Sequence, residues 1–267
     1  MTDYRKDPRP SQTLMKAYWI SPKAGDWAKA NPKPPTPAME LGTLVHDIVL
    51  LGPSALEKYR TDSPVNEKTG EPFGVASKKY QDWKATIEQD GYTAANPAMI
   101  AKAQMMAAAM TPAARAILDA CDHVEEPVYW TESGIQMKGR PDAWKTGDYL
   151  VEVKTTRKPL DTRALQRETL AMLYDLQCAA YRNAIGGLKR TVIIWLSEAN
   201  GGDCAITWLD DGWQEHGQKN LDRAIGNYKL AGLGIGQSPD EIILELPAWA
   251  TETDLILTSE EEGEVEL

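Results

Sequence analysis

Cysteine is scarce in this chain of 267 residues, and long apolar runs are absent from it. The three cysteines are too few for a four-cysteine iron–sulfur cluster, and their wide spacing does not match a zinc-binding pattern. We therefore expect Cys121, Cys178 and Cys204 to be free thiols within core elements. No apolar run is long enough to cross a bilayer, and residues 1–10 are charged and lack the apolar core of a signal peptide. These absences predict a cytoplasmic protein without a membrane partner.

A phosphate-binding loop of the nucleotide-binding kind is also absent, because neither Gly-Lys-Ser nor Gly-Lys-Thr occurs. We therefore expect no ATP-driven motor in this chain. The length is ample for one sizeable hydrophobic core, and the sequence shows no internal repeat.

Two carboxylates and a lysine stand near the middle of the chain at the spacing of paired strands. Glu152 and Lys154 are two residues apart, so they face the same side of a strand while the neighbouring valines face the core. A turn at Gly147-Asp148 folds the preceding strand back beside this one. Asp142, on that preceding strand, then meets Glu152 across the ladder.

These three side chains suit a hard divalent cation. Two carboxylate oxygens hold Mg²⁺ and leave coordination positions for water and phosphate. The metal generates hydroxide and stabilises charge on a phosphate, while Lys154 can orient the water or neutralise negative charge. The alternative is a surface salt bridge, because polar residues that alternate with valines are common on half-exposed strands. The three residues by themselves leave both interpretations open.

Four short elements resemble the PD-(D/E)XK nuclease superfamily and follow one another in that family's order. Pro141-Asp142 and Glu152-Val153-Lys154 resemble the superfamily signature. Upstream, Gly42-Thr43-Leu44-Val45-His46 resembles the Gly-Thr-x-x-His element of the exonuclease branch that includes RecB-type and RecE-type nucleases. Downstream, Gln177 to Tyr181 matches the Gln-x-x-x-Tyr element of that branch. The residues from Ser11 onward resemble the RecE-like (exonuclease VIII-like) group, so the likeness runs from about Ser11 to Tyr181.

The resemblance implies a metal site. It places His46, Asp142, Glu152 and the backbone carbonyl of Val153 around Mg²⁺, for which Mn²⁺ substitutes. Gly42 and His46 are four residues apart and share one face of a predicted helix, where glycine allows another backbone to approach closely. The alternative for His46 is an ordinary, partly buried histidine on a core helix.

The resemblance also implies catalytic roles for five residues: Lys154, Glu152, Asp142, Gln177 and Tyr181. Gln177 and Tyr181 are four apart on a predicted helix over the sheet, so both could reach the site or a DNA phosphate. The alternative is a polar residue and a tyrosine at the edge of the core. Glu132, at the end of a predicted strand, is either an additional carboxylate near the metal or a solvent-facing side chain.

The net charge of −10 argues at first against a nucleic-acid partner. Residues 138–167, however, contain eight basic and four acidic residues, so this segment is locally positive. DNA can be held by a local basic track on a globally acidic protein. Within this segment we expect five DNA contacts: Arg140, Thr155, Arg157, Lys158 and Arg163.

The function that the resemblance implies is that of a Mg²⁺-dependent, phage-type exonuclease. It would digest one strand from the end of double-stranded DNA and leave single-stranded DNA for recombination. A ring-shaped homo-oligomer and a single-strand annealing protein as partner are implied as well. One alternative is a structure-specific or single-strand DNA nuclease (Cas4-like), and another is a non-catalytic DNA-binding module of the same fold.

The expected fold is α/β, with a PD-(D/E)XK (restriction-endonuclease-like) core in which helices flank a mixed sheet. Residues 1–257 form a single nuclease domain, with a helical N-terminal part at 11–120, a catalytic core at about 121–230, and a disordered acidic tail at 258–267. The periodicity predicts five strands, at 124–131, 134–144, 149–155, 191–197 and 204–209. It predicts helices at 38–51, 77–89, 97–110, 112–120, from 162, and at 175–185 and 212–230.

Overall fold

The computed structural model describes residues 4–235, and the expected acidic tail at 258–267 lies outside them. The first half is largely helical, with six helices: α1 (Gln12–Ile20), α2 (Pro22–Ala30), α3 (Pro37–Leu51), α4 (Lys78–Gln89), α5 (Pro97–Ala108) and α6 (Pro112–Asp119). It also holds 3-10 helices at Tyr4–Lys6 and Pro53–Lys58, and two short strands that pair in parallel, β1 (Tyr59–Arg60) and β2 (Thr93–Ala94). The predicted helical N-terminal part is therefore present.

The second half carries the sheet and the helices that cover it. Its strands are β3 (His123–Val124), β4 (Val128–Glu132), β5 (Ile135–Gly139), β6 (Ala143–Lys145), β7 (Tyr149–Thr156), β8 (Arg190–Ser197) and β9 (Asp203–Leu209). Its helices are α7 (Thr162–Ala171), α8 (Tyr174–Ile185) and α9 (Asp211–Gly232), with a 3-10 helix at Ala199–Gly201. In this described part of the chain, no helix is long and apolar enough to cross a membrane.

Several helices begin at a capping residue that proline follows. The side chains of Ser21, Thr36, Asn96 and Thr111 each accept a hydrogen bond from a backbone N–H in the first turn of α2, α3, α5 and α6, respectively. Proline then takes the first helical position, where its missing N–H costs no hydrogen bond. Local chemistry of this kind explains why α3, α5 and α6 begin close to the predicted residues, whereas α2 was not predicted.

The central sheet is mixed and has the strand order β3-β6-β7-β8-β9. Strands β6 and β7 are antiparallel, with Ala143 opposite Val151, and the turn at Gly147 and Asp148 joins them as expected. Strands β7 and β8 are parallel, so the chain crosses from one to the other through α7 and α8. Strand β9 returns antiparallel to β8. The α/β fold with a mixed sheet flanked by helices is confirmed.

Two of the predicted strands are each broken into two. The segment 124–131 is divided between β3 and β4 around Glu125 and Pro127, and 134–144 is divided between β5 and β6 around Pro141. Proline has no N–H to offer to a ladder, and Glu125 adopts a left-handed conformation with φ of 55°. Strands β4 and β5 consequently form a separate hairpin. Asp142 therefore lies at a bend just before β6, and the expectation that it lies within a strand is wrong.

Both faces of β7 are covered. Val151 and Val153 pack into a core with α3, α5 and α6, whereas Leu150 packs into a second core with α7 and α8. Glu152 and Lys154 alternate with the valines, so their side chains lie on the face that α7 and α8 cover. The fold thus encloses two charged side chains between a sheet and a helix layer.

Candidate active site

Glu152 and Lys154 form a buried ion pair. The Glu152 side chain is fully buried, and Lys154 Nζ donates a hydrogen bond of 2.6 Å to its Oε2. This burial excludes the alternative of a surface salt bridge on a half-exposed strand. Removing two charges from water is costly unless further partners compensate them, so such a pair is expected at a functional site more often than in an ordinary core.

Asp142 joins the bend before β6 to strand β7. Its Oδ2 accepts a hydrogen bond of 2.7 Å from the backbone N–H of Val153. Because the N–H and C=O of one strand residue point to the same edge, the Val153 carbonyl also lies on the side of Asp142. The carboxylate is thereby held against β7 from a bend, and not from a position on the ladder, close enough for its charge to act on Glu152.

His46 of α3 reaches the same place. Its Nδ1 lies 3.4 Å from Asp142 Oδ1. Gly42, one turn earlier, lies so near β7 that an added Cβ would be 3.3 Å from Thr155 Oγ1. A Cβ at that position would be in tight contact with the Thr155 hydroxyl, so glycine permits the close approach without a local shift. The structure therefore brings His46 and Asp142 together through the close approach that the glycine permits.

Glu125 is the acidic residue that the sequence analysis missed. The ligand atoms of His46, Glu125 and Asp142 all lie within 4.8 Å of one another, which is a spacing that could hold a metal ion. The backbone N–H of Glu125 donates to the Asp142 carbonyl at 3.0 Å, and the left-handed backbone turns its side chain toward the cluster. The signal in the sequence was a carboxylate pair, Glu125-Glu126, just before a proline that interrupts the strand pattern.

The residues present fit a divalent cation. The cluster offers carboxylate oxygens and an imidazole nitrogen, a donor set that suits Mg²⁺ or Mn²⁺. Glu152 adds a buried oxygen, Oε1, that has no hydrogen-bond partner within the described residues. A buried carboxylate oxygen without a partner costs free energy, and a cation would offset that cost.

Mutual interactions shift the pKa values of the cluster. Burial raises the pKa of Glu152 to about 7, with Asp142 adding to the shift and Lys154 opposing it. Burial alone would raise the pKa of Asp142, but His46 and Lys154 outweigh it and lower that pKa. Burial likewise opposes the charged forms of His46 and Lys154, yet the carboxylates raise the pKa of both. At neutral pH Lys154 is therefore a cation and Asp142 an anion, while Glu152 is near its midpoint.

Helix α8 places two residues against this cluster. Gln177 Nε2 donates a hydrogen bond of 2.7 Å to Glu152 Oε2. The hydroxyl of Tyr181 donates to the Arg140 carbonyl at 3.3 Å and accepts from Gln12 Nε2 at 2.7 Å. Gly139 leaves room for the tyrosine ring, since a Cβ there would lie 2.6 Å from Tyr181 Cε1. The structure thus brings Gln177 to the carboxylate, whereas Tyr181 contacts the backbone beside Asp142.

Lys16 of α1 is a second cation that the sequence analysis did not single out. Its Nζ donates a hydrogen bond of 3.1 Å to Gln177 Oε1 and lies 5.0 Å from the ring centroid of Tyr174. Lys154 Nζ lies 4.9 Å from the same centroid. Burial, together with the charge of Lys154, lowers the pKa of Lys16 to about 7. Lys16 also determines the orientation of the Gln177 amide, because the amide oxygen faces the ammonium and the NH₂ group faces Glu152.

The structure does not bring Glu132 into this cluster. Its Oε2 accepts hydrogen bonds of 3.1 Å each from Trp130 Nε1 and Asn183 Nδ2. Those partners tie the β4–β5 hairpin to α8. Glu125 stands in the cluster where the sequence suggested Glu132 as an additional carboxylate.

The basic residues of segment 138–167 are not all on the surface. Lys138 is buried and donates to the backbone carbonyls of Tyr4 and Asp7, so it cannot contact DNA. Lys154 is buried as well. The expected local excess of positive charge is therefore smaller on the surface than in the sequence.

The predicted DNA contacts lie at or near the protein surface. Arg140, Arg157, Lys158 and Arg163 are exposed, and Thr155 is half-buried. Three of the cations have carboxylate partners: Arg140 with Glu125, Arg157 with Glu198, and Lys158 with Glu168. The thiols behave as expected, since all three cysteines are free, although only Cys178 is fully buried and the other two are half-buried.

One of the solved structures that resemble this chain supports the fold. A protein of Eubacterium rectale that is described only as a candidate exonuclease has a TM-score of 0.62 at 12% sequence identity, and the match covers 95% of this chain and 97% of that one. An alkaline exonuclease of Laribacter hongkongensis, LHK-Exo, has a TM-score of 0.30 at 14% identity, with 68% of this chain and 88% of that one covered. No curated protein sequence matches the chain significantly.

Comparison with family models identifies the family. Residues 14–195 match the family described as a PDDEXK-like domain of unknown function (DUF3799). The matched range contains His46, Glu125, Asp142, Glu152 and Lys154. Because the match spans more than half of the sequence, this chain is a member of that PDDEXK-like family.

Proposed function

We propose that this protein is a Mg²⁺-dependent deoxyribonuclease that hydrolyses phosphodiester bonds at the ends of double-stranded DNA. One observation carries the proposal: His46, Glu125 and Asp142 converge next to a buried Glu152–Lys154 pair whose Glu152 Oε1 has no partner among the described residues. Carboxylates, an imidazole and a protonated lysine together match the needs of phosphodiester hydrolysis.

Each residue of the cluster has a distinct role in this proposal. His46, Asp142, Glu152, Glu125 and the Val153 carbonyl would hold the cation. When bound, Mg²⁺ supplies a hydroxide at neutral pH and neutralises charge on the phosphate. The protein's own contribution is geometry, because the ligands are held in place before substrate arrives. Helix α3 and strand β7 carry His46 and Glu152, and hydrogen bonds that involve the backbone hold Asp142 and Glu125 at the bends before β6 and after β3.

Lys154 neutralises negative charge that develops on the phosphate oxygens. Its Nζ is held by Glu152 Oε2 and lies near the Tyr174 ring, so little reorientation is needed during the reaction. Gln177 maintains the orientation of Glu152 through its hydrogen bond to Oε2. Tyr181 positions the backbone of Arg140, two residues before Asp142.

The proposal has three more specific parts: cleavage at DNA ends, a ring-shaped homo-oligomer and a role in recombination. They rest on the resemblance to RecE-like exonucleases and on charge. An acidic chain with a reduced basic surface repels DNA unless several subunits turn Arg140, Arg157, Lys158 and Arg163 toward one channel. A single-strand annealing protein would then receive the single-stranded product.

One set of assays tests the whole proposal. Linear duplex, covalently closed circles and single-stranded DNA are incubated with Mg²⁺, with Mn²⁺ and with chelator, and light scattering gives the subunit number. We expect metal-dependent loss of linear duplex, intact closed circles, and an oligomer. Rapid cutting of circles by a monomer would favour an endonuclease, cleavage of single strands only would favour the single-strand nuclease, and no cleavage with metal would favour a binding module.

A further inference from the structure

A groove opens directly beside the end of strand β7. It has a volume of about 440 Å³ and is lined by residues of α3, by the end of β7 and by the connection from α7 to α8. Thr155, the residue after Lys154, lines the groove together with Met39 of α3 and Met172 of the α7–α8 connection. We call this the methionine groove. Tyr174, whose ring centroid lies 4.9 Å from Lys154 Nζ, also lines the groove, so the groove adjoins the candidate active site.

The walls of the methionine groove are unusually exposed for apolar side chains. Met39 is 59% exposed and Met172 is 50% exposed. Two exposed apolar side chains that line one groove together with charged residues are more typical of a binding surface than of isolated surface residues. Methionine is flexible and polarisable, so it can pack against flat ligands of differing shape.

The rim of the groove is cationic on its outer side. Arg157 and Lys158 are exposed by 69% and 57%, whereas their partners Glu198 and Glu168 are exposed by only 20% and 13%. The anionic groups thus lie inside and the cationic groups face solvent. A ligand that approaches from solvent meets positive charge first and apolar surface next, which is complementary to a phosphate joined to a flat, weakly polar ring.

We infer that the methionine groove holds an unpaired nucleobase of the DNA strand that enters the active site, with Arg157 and Lys158 at its phosphate. The inference rests on the proposed nuclease function and specifies the substrate at that site. A volume of about 440 Å³ accommodates one nucleotide but not a stacked duplex. Because methionine contacts the face of a base and not its hydrogen-bonding edge, the contact accepts every base. The duplex therefore opens before its strand reaches Lys154.

The test compares two substrates in one set of variants. Met39→Gln and Met172→Gln keep side-chain length at exposed positions while making the walls polar. Rates are measured on linear DNA and on bis(p-nitrophenyl) phosphate, a small diester that reports on the metal centre without a base. We expect the KM for DNA to rise by roughly fivefold or more, the lower end of stacking contributions, so that the rate ratio of DNA to small diester falls. Val75→Gln, at a position that is 67% exposed and outside the groove, is the matched control.

The outcomes separate the inference from the proposed function. An unchanged rate ratio in both methionine variants, with active wild-type protein, would overturn the inference and leave the nuclease intact. No hydrolysis of either substrate by the wild-type protein with any divalent metal would remove the proposed function itself. An equal fall in DNA cleavage by Val75→Gln would also overturn the inference, since it would show a non-specific surface effect.

Chemical labelling measures whether the groove is accessible before and after DNA binds. Met39→Cys is treated with a maleimide, and labelled peptides are identified by mass spectrometry to separate the new thiol from the native cysteines. We expect fast labelling in free protein and at least several-fold slower labelling when oligonucleotide is held with Ca²⁺ in place of Mg²⁺. Slow labelling without DNA would mean that the chain itself or a second copy covers the groove. Fast labelling with bound DNA would mean that the DNA strand does not enter the groove. Either result would overturn the inference.

Discussion

His46 Nδ1 lies 3.4 Å from Asp142 Oδ1, although one residue lies on an early helix and the other at a bend beyond the middle of the chain. The contact requires α3 to pack against the face of β7 opposite to α8, and Gly42 permits that packing. Burial opposes the charged form of His46, but the neighbouring Asp142 outweighs it and raises the pKa of His46. With a metal, both residues would turn their lone pairs to the cation.

Replacing either carboxylate by its amide tests the metal ligands. We expect Asp142→Asn and Glu152→Gln to abolish cleavage, because each change removes a negatively charged ligand. The fold should survive Asp142→Asn, since the side-chain amide oxygen can still accept the hydrogen bond from the Val153 N–H. Cleavage rates, circular dichroism and calorimetric metal binding are the measurements. A wild-type rate in either purified variant would contradict the proposed site.

Glu125 has a matched control in its neighbour. We expect Glu125→Gln to weaken divalent-metal binding by roughly tenfold or more and to slow cleavage accordingly. Glu126→Gln should leave both unchanged, because Glu126 is exposed and binds His123 instead of the cluster. Isothermal titration with Mn²⁺ in both variants makes the comparison. Equal effects of the two substitutions would show that general negative charge, and not a ligand position, is responsible.

Lys154 and Lys16 should differ in what they contribute. Lys154→Met is expected to lose at least roughly a hundredfold in rate, the scale for removing one group that stabilises charge in the transition state, while metal binding survives. Simultaneous loss of Mn²⁺ binding in a calorimetric titration would show that the role assigned to Lys154 is wrong.

Lys16→Met should reduce the cleavage rate by roughly tenfold. Without Lys16 the Gln177 side chain would no longer be fixed, so its hydrogen bond to Glu152 would be formed in only a fraction of the molecules. The effect should fall on kcat, and Lys16→Arg should restore part of it by returning a donor. An effect confined to the KM for DNA, with a reduced salt dependence, would instead show that Lys16 contacts a phosphate.

The raised pKa of Glu152 predicts a specific pH dependence of stability. Its folded-state pKa of about 7 exceeds the ordinary value of 4.5, so the folded protein binds more protons than the unfolded chain between these values. The stabilisation is fully present below pH 4.5 and is lost as pH rises through about 7. We expect metal-free Glu152→Gln to lack this decline, because the amide does not titrate. Thermal unfolding of both proteins between pH 5 and pH 8 provides the measurement.

Bound Mg²⁺ should oppose the loss of stability that we expect for the metal-free protein as pH rises. Because the cation competes with the proton for Glu152, the apparent Mg²⁺ affinity of the wild-type protein should increase as pH rises through about 7. Unfolding in the presence of Mg²⁺ should therefore show a stabilisation that grows with pH. A metal-induced stabilisation that is equal at pH 5 and pH 8 would exclude Glu152 as a ligand.

The elements that carry the site were predictable because their patterns are local. The strand expected at 149–155 is Tyr149–Thr156, the helix expected at 38–51 is Pro37–Leu51, and the helix expected at 175–185 is Tyr174–Ile185. Alternation and helical spacing reflect which side chains face a core, and each can be recognised within a short window. The breaks at Glu125 and Pro141 were missed, because alternation continues across a bend even when the ladder does not.

The sequence by itself determined the chemical groups of this protein and their order along the chain: an imidazole, carboxylates, a lysine at strand spacing, and a glutamine and tyrosine one helical turn apart. Only the tertiary structure decided which groups meet. Packing of α1 against α8 brings Lys16 to Gln177, and packing of α8 over β7 buries Glu152. The bend after β3 brings Glu125 to Asp142, and the carbonyls of Tyr4 and Asp7 hold Lys138 away from solvent. Such contacts join residues that are far apart in the chain. Their energies depend on burial and on distance in the folded protein, and neither can be read from the spacing of residues along the sequence.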